Sequence, residues 1–251
     1  MNLPTKKFFG LNLVDADWAT WCKQVRQIVT GENKRCQIVL TPNPEQMMLA
    51  SRDPKFYQDL QAADVLLPDG HGLVWASGCR ARLTGSDTVV ELLRLSRREK
   101  LRLLLIGGRY ESHNGTLAVN IEGEQSVFFY TPGYQSVQSI QQSEQKALEL
   151  LIAELKPVIV CVALGAPAQE RWLMENRELL QKNGVRLAMA VGGAFDFVLG
   201  RGARAPRVWQ QARLEWLWRL LHEPWRARRQ MQLLPFVWRR WTGGWKNGPV
   251  A

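Results

Sequence analysis

Two stretches of this chain decide its fold: Cys36-Gln-Ile-Val-Leu-Thr-Pro-Asn-Pro-Glu45 and Ala63-Asp-Val-Leu-Leu-Pro-Asp-Gly-His-Gly72. In each of them a short apolar run is followed by a polar turn and then by a segment that is compatible with a helix. Strands that alternate with helices in this way predict βαβ units and a mainly parallel sheet. Because open α/β sheets bind ligands beyond the carboxyl ends of their strands, the polar groups of both turns are candidates for a site.

The same alternation of apolar runs and amphipathic segments extends through the first 200 residues. Strands are predicted at 8–13, 36–40, 64–67, 102–106, 126–130, 157–163 and 186–191, and helices at 18–29, 89–98, 139–155 and 167–180. Asp15 and Ser139 are predicted N-caps, and Pro167 suits a first helical position. We therefore expect an α/β domain whose sheet is covered by helices on both faces.

Charge divides the chain into two parts. Residues 201–251 hold ten arginines and one lysine against Glu215 and Glu223, so that +9 of the net charge of +10 lies there, together with seven of the eleven tryptophans. The pattern changes to helices without strands, predicted at 215–222, 225–234 and 235–241, with Pro224 and Pro235 between them. We expect an α/β domain over residues 1–200 and a basic, Trp-rich helical appendage over 201–251.

Composition excludes several classes of protein. No apolar run approaches the ~20 residues that a membrane-spanning helix needs. The first residues lack the apolar segment of a signal peptide, which favours the cytoplasm. The four cysteines are widely scattered, and Cys36 and Cys161 lie in apolar runs, so we expect small hydrophobic side chains rather than disulfides or metal ligands.

The two opening turns carry the residues that we consider first for chemistry. The Thr41 hydroxyl and the Asn43 amide can bind a polyhydroxylated ligand from a loop that prolines stiffen. The Asp69 carboxylate, in the neighbouring turn, can take a proton from an attacking hydroxyl. The structural alternative is that Asp69 caps a helix over 70–77, and local sequence alone gives both interpretations equal weight.

Three further turns follow predicted strands. The segment Gly165-Ala-Pro-Ala-Gln-Glu170 offers backbone N–H groups at a helix start and places Gln169 in the first turn. Gly107-Gly108 can approach a ligand closely, but it is not a Gly-x-Gly-x-x-Gly fingerprint, so a nicotinamide cofactor is weakly supported. Gly192-Gly-Ala-Phe-Asp196 adds a carboxylate.

Asp15-Ala-Asp17 has the form of a metal-dependent transferase motif, but its place at a helix start favours solvated acids. We expect no cofactor and no metal.

The basic tail has three functional interpretations and a structural alternative. Interleaved Arg and Trp suit an anionic membrane surface, and the same composition suits a nucleic acid backbone. Arg219, Arg226 and Arg229 can also fold over the site and neutralise a diphosphate. The structural alternative is a basic helical hairpin with its tryptophans in the core, which would account for Trp209 and Trp216.

Six motifs in order resemble those of the bacterial WecG/TagA/CpsF glycosyltransferases over nearly the whole chain. They are Thr41-Pro-Asn-Pro-Glu45, Leu67-Pro-Asp-Gly-His-Gly72, Arg82-Leu-Thr-Gly-Ser-Asp87, Gly165-Ala-Pro-Ala-Gln-Glu170, Gly192-Gly-Ala-Phe-Asp-Phe197, and Arg204-Ala-Pro206 followed by Leu214-Glu-Trp-Leu-Trp-Arg-Leu220. The resemblance implies a Rossmann-like α/β domain with a helical C-terminal appendage. It also implies transfer of a sugar, of the N-acetylmannosamine type, from a UDP donor to a polyprenyl-diphosphate-linked sugar in the synthesis of cell-surface polysaccharide or teichoic-acid-type polymers.

The resemblance also implies a role for each matched residue. Asp69 is the expected base, while Thr41, Asn43, Arg82 and Gln169 line the substrate pocket. Asp196 lies near the nucleotide, and Arg219, Arg226 and Arg229 meet the UDP diphosphate. We expect an inverting, metal-independent reaction on the inner face of the bacterial membrane, with no nucleic acid partner. The alternatives are a nucleic-acid-binding protein and a nicotinamide-dependent sugar-nucleotide oxidoreductase, and whether the chain forms a homo-oligomer stays open.

Overall fold

The fold is an α/β sheet with helices on both faces, seen in a computed structural model that describes residues 3–107, 115–117, 127–131, 142–192, 209, 218, 231, 233–245 and 248. Its strands are β1 (Thr5–Phe8), β2 (Leu11–Val14), β3 (Gln37–Leu40), β4 (Val65–Leu66), β5 (Leu103–Gly107), β6 (Gly115–Leu117), β7 (Val127–Thr131), β8 (Ile159–Ala163) and β9 (Leu187–Ala190). The helices are α1 (Trp18–Thr30), α2 (Pro44–Ala50), α3 (Pro54–Ala62), α4 (His71–Ser77), α5 (Gly85–Arg98), α6 (Gln142–Leu155), α7 (Ala168–Glu175), α8 (Arg177–Lys182) and α9 (Leu233–Trp241).

All nine strands form one sheet in the order β1-β2-β4-β3-β9-β8-β5-β7-β6. The seven strands from β2 to β7 in this order run parallel, whereas β1 and β6 pair antiparallel at the two edges. The predicted fold class, a mainly parallel α/β sheet with a C-terminal helix, is confirmed. The carboxyl ends of β4, β3, β9 and β8 are consecutive along one edge, which brings four loops together.

Side chains of each central strand alternate between two cores. In β3, Ile38 and Leu40 belong to one core, which also holds residues of α2, α3, α4, α6, α7, α8 and α9. Val39 belongs to the other core, which holds residues of α1 and α5. Both sides are closed, which is why the parallel strands read as continuous apolar runs. The buried Trp21 indole Nε1 donates to Thr88 Oγ1 at 3.0 Å and ties α1 to α5.

The four cysteines are free, and three of them are buried. Burial raises the pKa of the Cys36 and Cys161 thiols to about 12. Such thiols stay protonated at neutral pH and pack as small apolar groups.

The structure corrects several predicted boundaries. The strand predicted over 8–13 is two strands, because the chain reverses at Phe9–Gly10 between β1 and β2. The N-cap of α1 is Asp17, whose carboxylate accepts from Thr20 N–H, and not Asp15. Asp15 is nearly buried and accepts from Arg80 N–H instead. The helix predicted over 167–180 is divided at Asn176 into α7 and α8, and Pro167 occupies the N-cap position of α7.

The described end of the C-terminal segment packs against the body. Helix α9 contacts α2 and α4, and Phe236 is fully buried. The Trp245 indole lies against the rings of Phe8, Phe9 and Phe236, with centroid distances of 5.6, 4.9 and 5.1 Å. Pro235 lies in the first turn of α9 rather than at a boundary between two helices. A proline is tolerated there because the N–H groups of the first turn have no partner within the helix. Trp245 therefore anchors this segment at the β1–β2 turn.

Candidate active site

The loop between β3 and α2 holds its polar groups in a fixed arrangement. Asn43 is the N-cap of α2: its Oδ1 accepts from Gln46 N–H at 2.9 Å, while Gln46 Oε1 accepts from Asn43 N–H at 3.2 Å. This reciprocal capping box satisfies two N–H groups at the helix start. The group that Asn43 can offer a ligand is therefore its Nδ2 amide. Thr41 is half-buried, with Oγ1 facing the start of α5 near Gly85.

The loop between β4 and α4 lies directly beside it. Asp69 N–H donates to Pro42 O at 2.9 Å, so that the backbone of Asp69 pairs with the residue between Thr41 and Asn43. A side chain at Gly72 would come within 3.0 Å of Pro44, which shows how closely the loops approach. The two opening turns of the sequence thus form one edge of a single site.

The structure argues against the capping interpretation of Asp69. The N-cap position of α4 is occupied by Gly70, whose φ of +82° favours glycine, and not by Asp69. The half-buried Asp69 precedes the cap and lies at the carboxyl edge of the sheet. The position is compatible with the predicted base, although the role itself stays a prediction.

Arg82 belongs to a third segment at this edge. The next residue, Leu83, donates its N–H to Pro68 O at 3.0 Å, which holds the backbone beside the Asp69 loop. Thr84 then caps α5, accepting from Asp87 N–H at 3.0 Å. The structure therefore brings the segments of Thr41, Asn43, Asp69 and Arg82 together.

Gln169 is linked to protein groups at both ends of its amide. The side chain is buried, with Nε2 donating to Glu170 Oε1 at 2.8 Å and Oε1 accepting from Gly192 N–H at 3.1 Å. Gly192 follows β9, so Gln169 ties the start of α7 to the end of that strand. Its contact with a substrate stays a prediction.

Glu170 is the residue at this edge to which sequence reasoning gave no role. Only 1% of it is exposed, and its Oε1 also accepts from Gln46 Nε2 at 3.0 Å. Burial raises the pKa of its carboxyl to about 7, and the bonds from Gln169 and Gln46 lower that pKa only in part. A perturbed carboxyl beside a candidate site is a recognised functional signal. The signal in the sequence was a Glu inside a quoted motif, but nothing there indicated its burial.

Several predicted groups lie outside the described residues: Asp196, Arg219, Arg226 and Arg229. For Gly107 the structure gives a reason other than a ligand, because a side chain there would come within 2.6 Å of Ala163 O on β8. Among the described residues no group of three or more His, Cys, Asp or Glu side chains is arranged to hold a metal ion. Metal independence stays a prediction.

A second surface of note lies on α9 and α4. Leu234, Trp238 and Trp241 follow one another at helical spacing on α9, opposite the buried Phe236, and the two tryptophans are 66% and 77% exposed. Trp75 of α4 is 52% exposed, and the Arg240 guanidinium lies 5.9 Å from its ring centre. We call these four residues, Trp75, Leu234, Trp238 and Trp241, the aromatic surface. The structural alternative, in which the tail tryptophans lie in the core, does not hold for Trp238 and Trp241. Trp209 is half-buried, with its ring centre 5.4 Å from that of Trp218.

Comparison with known proteins gives one consistent result. Residues 6–248 match the model of a family described as the glycosyl transferase WecG/TagA/CpsF family. The chain is similar to an N-acetylglucosaminyldiphosphoundecaprenol N-acetyl-beta-D-mannosaminyltransferase of Bacillus subtilis strain 168, at 30% identity over 204 residues, which cover 78% of this chain and 75% of the relative. A protein of the same name from Bacillus spizizenii is 30% identical over 246 residues, covering 94% and 90%.

Proposed function

Since the chain belongs to the WecG/TagA/CpsF family and is a glycosyltransferase, we propose that it moves a sugar of the N-acetylmannosamine type from a UDP donor to a polyprenyl-diphosphate-linked sugar. The proposed transfer inverts the configuration at the anomeric carbon and needs no metal ion. The observation that supports this is the hydrogen bond from Asp69 N–H to Pro42 O, which holds the Asp69 loop beside the loop that carries Thr41 and Asn43. Membership of this family argues against the nucleic-acid-binding and oxidoreductase alternatives.

The proposed reaction is a single displacement. The acceptor hydroxyl oxygen forms a bond to the anomeric carbon as the bond from that carbon to the diphosphate oxygen of UDP breaks. Asp69 takes the hydroxyl proton, and UDP leaves from the opposite face with the bonding electron pair. A positioned base of this kind typically contributes ~10²–10⁴-fold.

The leaving diphosphate needs positive charge or hydrogen-bond donors around it. We assign this task to Arg219, Arg226 and Arg229 of the tail, with Asp196 near the nucleotide, on the strength of the family motifs. Arg82 enters the same proposal as a pocket residue, since its segment pairs with the Asp69 loop through Leu83 and Pro68. The carboxylate and the cations would then act on opposite sides of the anomeric carbon.

The aromatic surface supports a proposal about the acceptor. The polyprenyl chain of such an acceptor lies in a membrane, so the enzyme must work at its surface. In the part of the chain that the structure describes, no helix is long and apolar enough to cross a bilayer. The exposed tryptophans belong to a segment that carries most of the positive net charge. Both features suit an anionic bilayer, where tryptophan rings lie at the level of the headgroups and arginines bind the phosphates. We assign the aromatic surface to an anionic membrane on the inner face of the cell.

The substitution Asp69→Asn tests the proposed base. With a panel of UDP-sugars that includes UDP-N-acetylmannosamine and with N-acetylglucosaminyl-diphosphoundecaprenol, we expect kcat to fall by ~10²–10⁴-fold because the isosteric amide cannot accept the proton. Product is measured as the mass gain of the lipid. His71→Ala in the same loop is the matched control and should stay within a few-fold of the parent. Near-normal transfer by Asp69→Asn would exclude Asp69 as the base.

A further inference from the structure

One oxygen atom joins three distant segments of the candidate site. Glu170 Oε1, at the start of α7, accepts from Gln169 Nε2 at 2.8 Å and from Gln46 Nε2 at 3.0 Å. The other ends of these two amides accept from Gly192 N–H at 3.1 Å and from Asn43 N–H at 3.2 Å. The loop after β3 and the end of β9 are therefore connected through a single buried carboxyl group.

The carboxyl group also fixes which way both amides point. Because Oε1 can only accept while it is ionised, it selects the NH₂ ends of Gln46 and Gln169, and their carbonyl oxygens must then face Asn43 and Gly192. Bonds to an ionised acceptor are roughly twice as strong as neutral ones. When the carboxyl is protonated, Oε1 is a neutral carbonyl oxygen, and the hydrogen bonds that it accepts from the two amides are weaker. Its proton would have to sit on Oε2, which is buried and makes no hydrogen bond within the described residues.

The charges around Glu170 are arranged unevenly. The negative charge of Asp59 on α3 adds to the rise in the pKa of Glu170. Burial also raises the pKa of Asp59 itself, and Arg171, 3.9 Å from Asp59 Oδ2, offsets that rise in part. Lys55, Glu175 and Asp53 lie further out around Asp59. Burial raises the pKa of Glu170 to about 7, so the strength of the connection changes within the physiological range.

We propose that Glu170 is a positioning residue for sugar transfer: its carboxylate holds Gln46 and Gln169, and through them the Asn43 loop and the end of β9, in the arrangement that receives the substrates. This inference rests on the proposed function, because it takes the β3–α2 loop and Gln169 as parts of the substrate pocket. Glu170 is too deeply buried to touch a substrate and acts through its two partners. Its ionised form is the competent one.

The pH profile of Glu170→Gln tests this role. In the parent enzyme we expect kcat/KM to rise with pH through an inflection near 7, as Glu170 ionises. The variant keeps the shape of the side chain but cannot ionise, so it should lose this inflection and transfer roughly tenfold less efficiently above pH 8, chiefly through a higher KM, since weaker neutral bonds remain. Asp59→Asn is the matched control: it removes a neighbouring carboxyl, keeps the inflection and moves it to lower pH.

Amide hydrogen exchange provides a readout that does not depend on the reaction. Local openings that break these bonds while Glu170 stays buried cost more when its carboxyl is ionised, because bonds to an ionised acceptor are stronger. In the parent protein the Asn43 and Gly192 amides, corrected for intrinsic exchange rates, should therefore be severalfold better protected at pH 8 than at pH 6. The Leu67 amide, which donates to Leu40 O at 2.9 Å in the sheet, should show no such change. In Glu170→Gln the protection of the first two amides should be low at both values.

The outcomes separate the two proposals. An unchanged inflection in Glu170→Gln, or Asn43 and Gly192 protection that is independent of pH in the parent protein, would overturn the role of Glu170. If the exchange result appears but no UDP-sugar is transferred, the proposed function fails while the connection stands. Should Glu170→Gln not fold, the exchange measurement on the parent protein decides by itself.

Discussion

Glu170 lies in the first turn of α7, where a helix N-terminus favours negative charge, and yet burial raises the pKa of its carboxyl from 4.5 to about 7. Desolvation therefore outweighs the two amide bonds and the helix terminus together. A structural role alone would be served by a neutral glutamine of the same shape. That the chain holds an ionisable group here fits a site at which ionisation matters.

The raised pKa predicts how stability depends on pH. A carboxyl that binds its proton more tightly in the folded state contributes stability below pH 4.5 that is lost as pH rises through 7, here on the order of 3 kcal/mol. The free energy of unfolding of Glu170→Gln, measured in urea from pH 5 to pH 8, should fall less with pH than that of the parent. Parallel curves for the two proteins would mean that the pKa of Glu170 is not raised.

At the scale of elements, α9 presents two different faces. Phe236 and the Arg240 side chain, whose Nε donates to Ala76 O at 3.0 Å, hold it against the body, while Leu234, Trp238 and Trp241 point away. Helical spacing of about 3.6 residues separates the two faces. The helix can therefore stay docked on the protein while its outer stripe meets another surface.

Replacing Trp238 and Trp241 by alanine tests that outer stripe. Burial of ~100 Å² of an indole is worth ~2.5 kcal/mol, so we expect vesicles with anionic lipid to bind the double variant at least roughly tenfold more weakly. Co-sedimentation at fixed salt measures this. Trp18→Ala, an exposed tryptophan on α1 at the other face of the sheet, is the control and should bind as the parent does. Equal loss in both variants would rule out the aromatic surface as the contact.

At the scale of the whole molecule, Trp245 joins the end of the described chain to its beginning. It is 4% exposed, its Nε1 donates to Phe236 O at 3.2 Å, and the Arg239 guanidinium lies 4.8 Å from its ring centre. The C-terminal segment thereby shares a core with β1 and the β1–β2 turn. The division into residues 1–200 and 201–251 stays a prediction; at this contact the described part of the second segment packs against the first.

Trp245→Ala should therefore destabilise the whole protein. Removing a buried indole typically costs ~3–5 kcal/mol, whereas Trp241→Ala, an exposed tryptophan nearby, should cost under ~0.5 kcal/mol. Urea unfolding measures both, and limited proteolysis within 233–245 reports release of α9. If Trp245→Ala unfolds at the same urea concentration as Trp241→Ala, the packing of Trp245 contributes nothing to the fold.

Local sequence predicted the parts of this protein that depend on neighbouring residues. The alternation of apolar runs and polar turns predicted the parallel sheet, since strand and helix periods are local properties. It also predicted that Thr41, Asn43 and Asp69 follow adjacent strands. Local sequence did not predict the chain reversal at Phe9–Gly10. The ring of Phe9 there packs against Tyr57 and Trp245, which are distant in the chain.

The burial of Glu170 and its hydrogen bonds to distant segments were decided only by the tertiary structure. Glu170 became the common acceptor of Gln46 and Gln169, and through Gln169 it is linked to Gly192, because these segments converge where β3 and β9 lie side by side. The pKa of a carboxyl depends on the water that surrounding segments exclude, and no local pattern records that. The sequence by itself determined the alternation of strands and helices and the chemistry of the loops between them. The three-dimensional packing decided which of those groups are buried, which are ionised and which are hydrogen-bonded to one another.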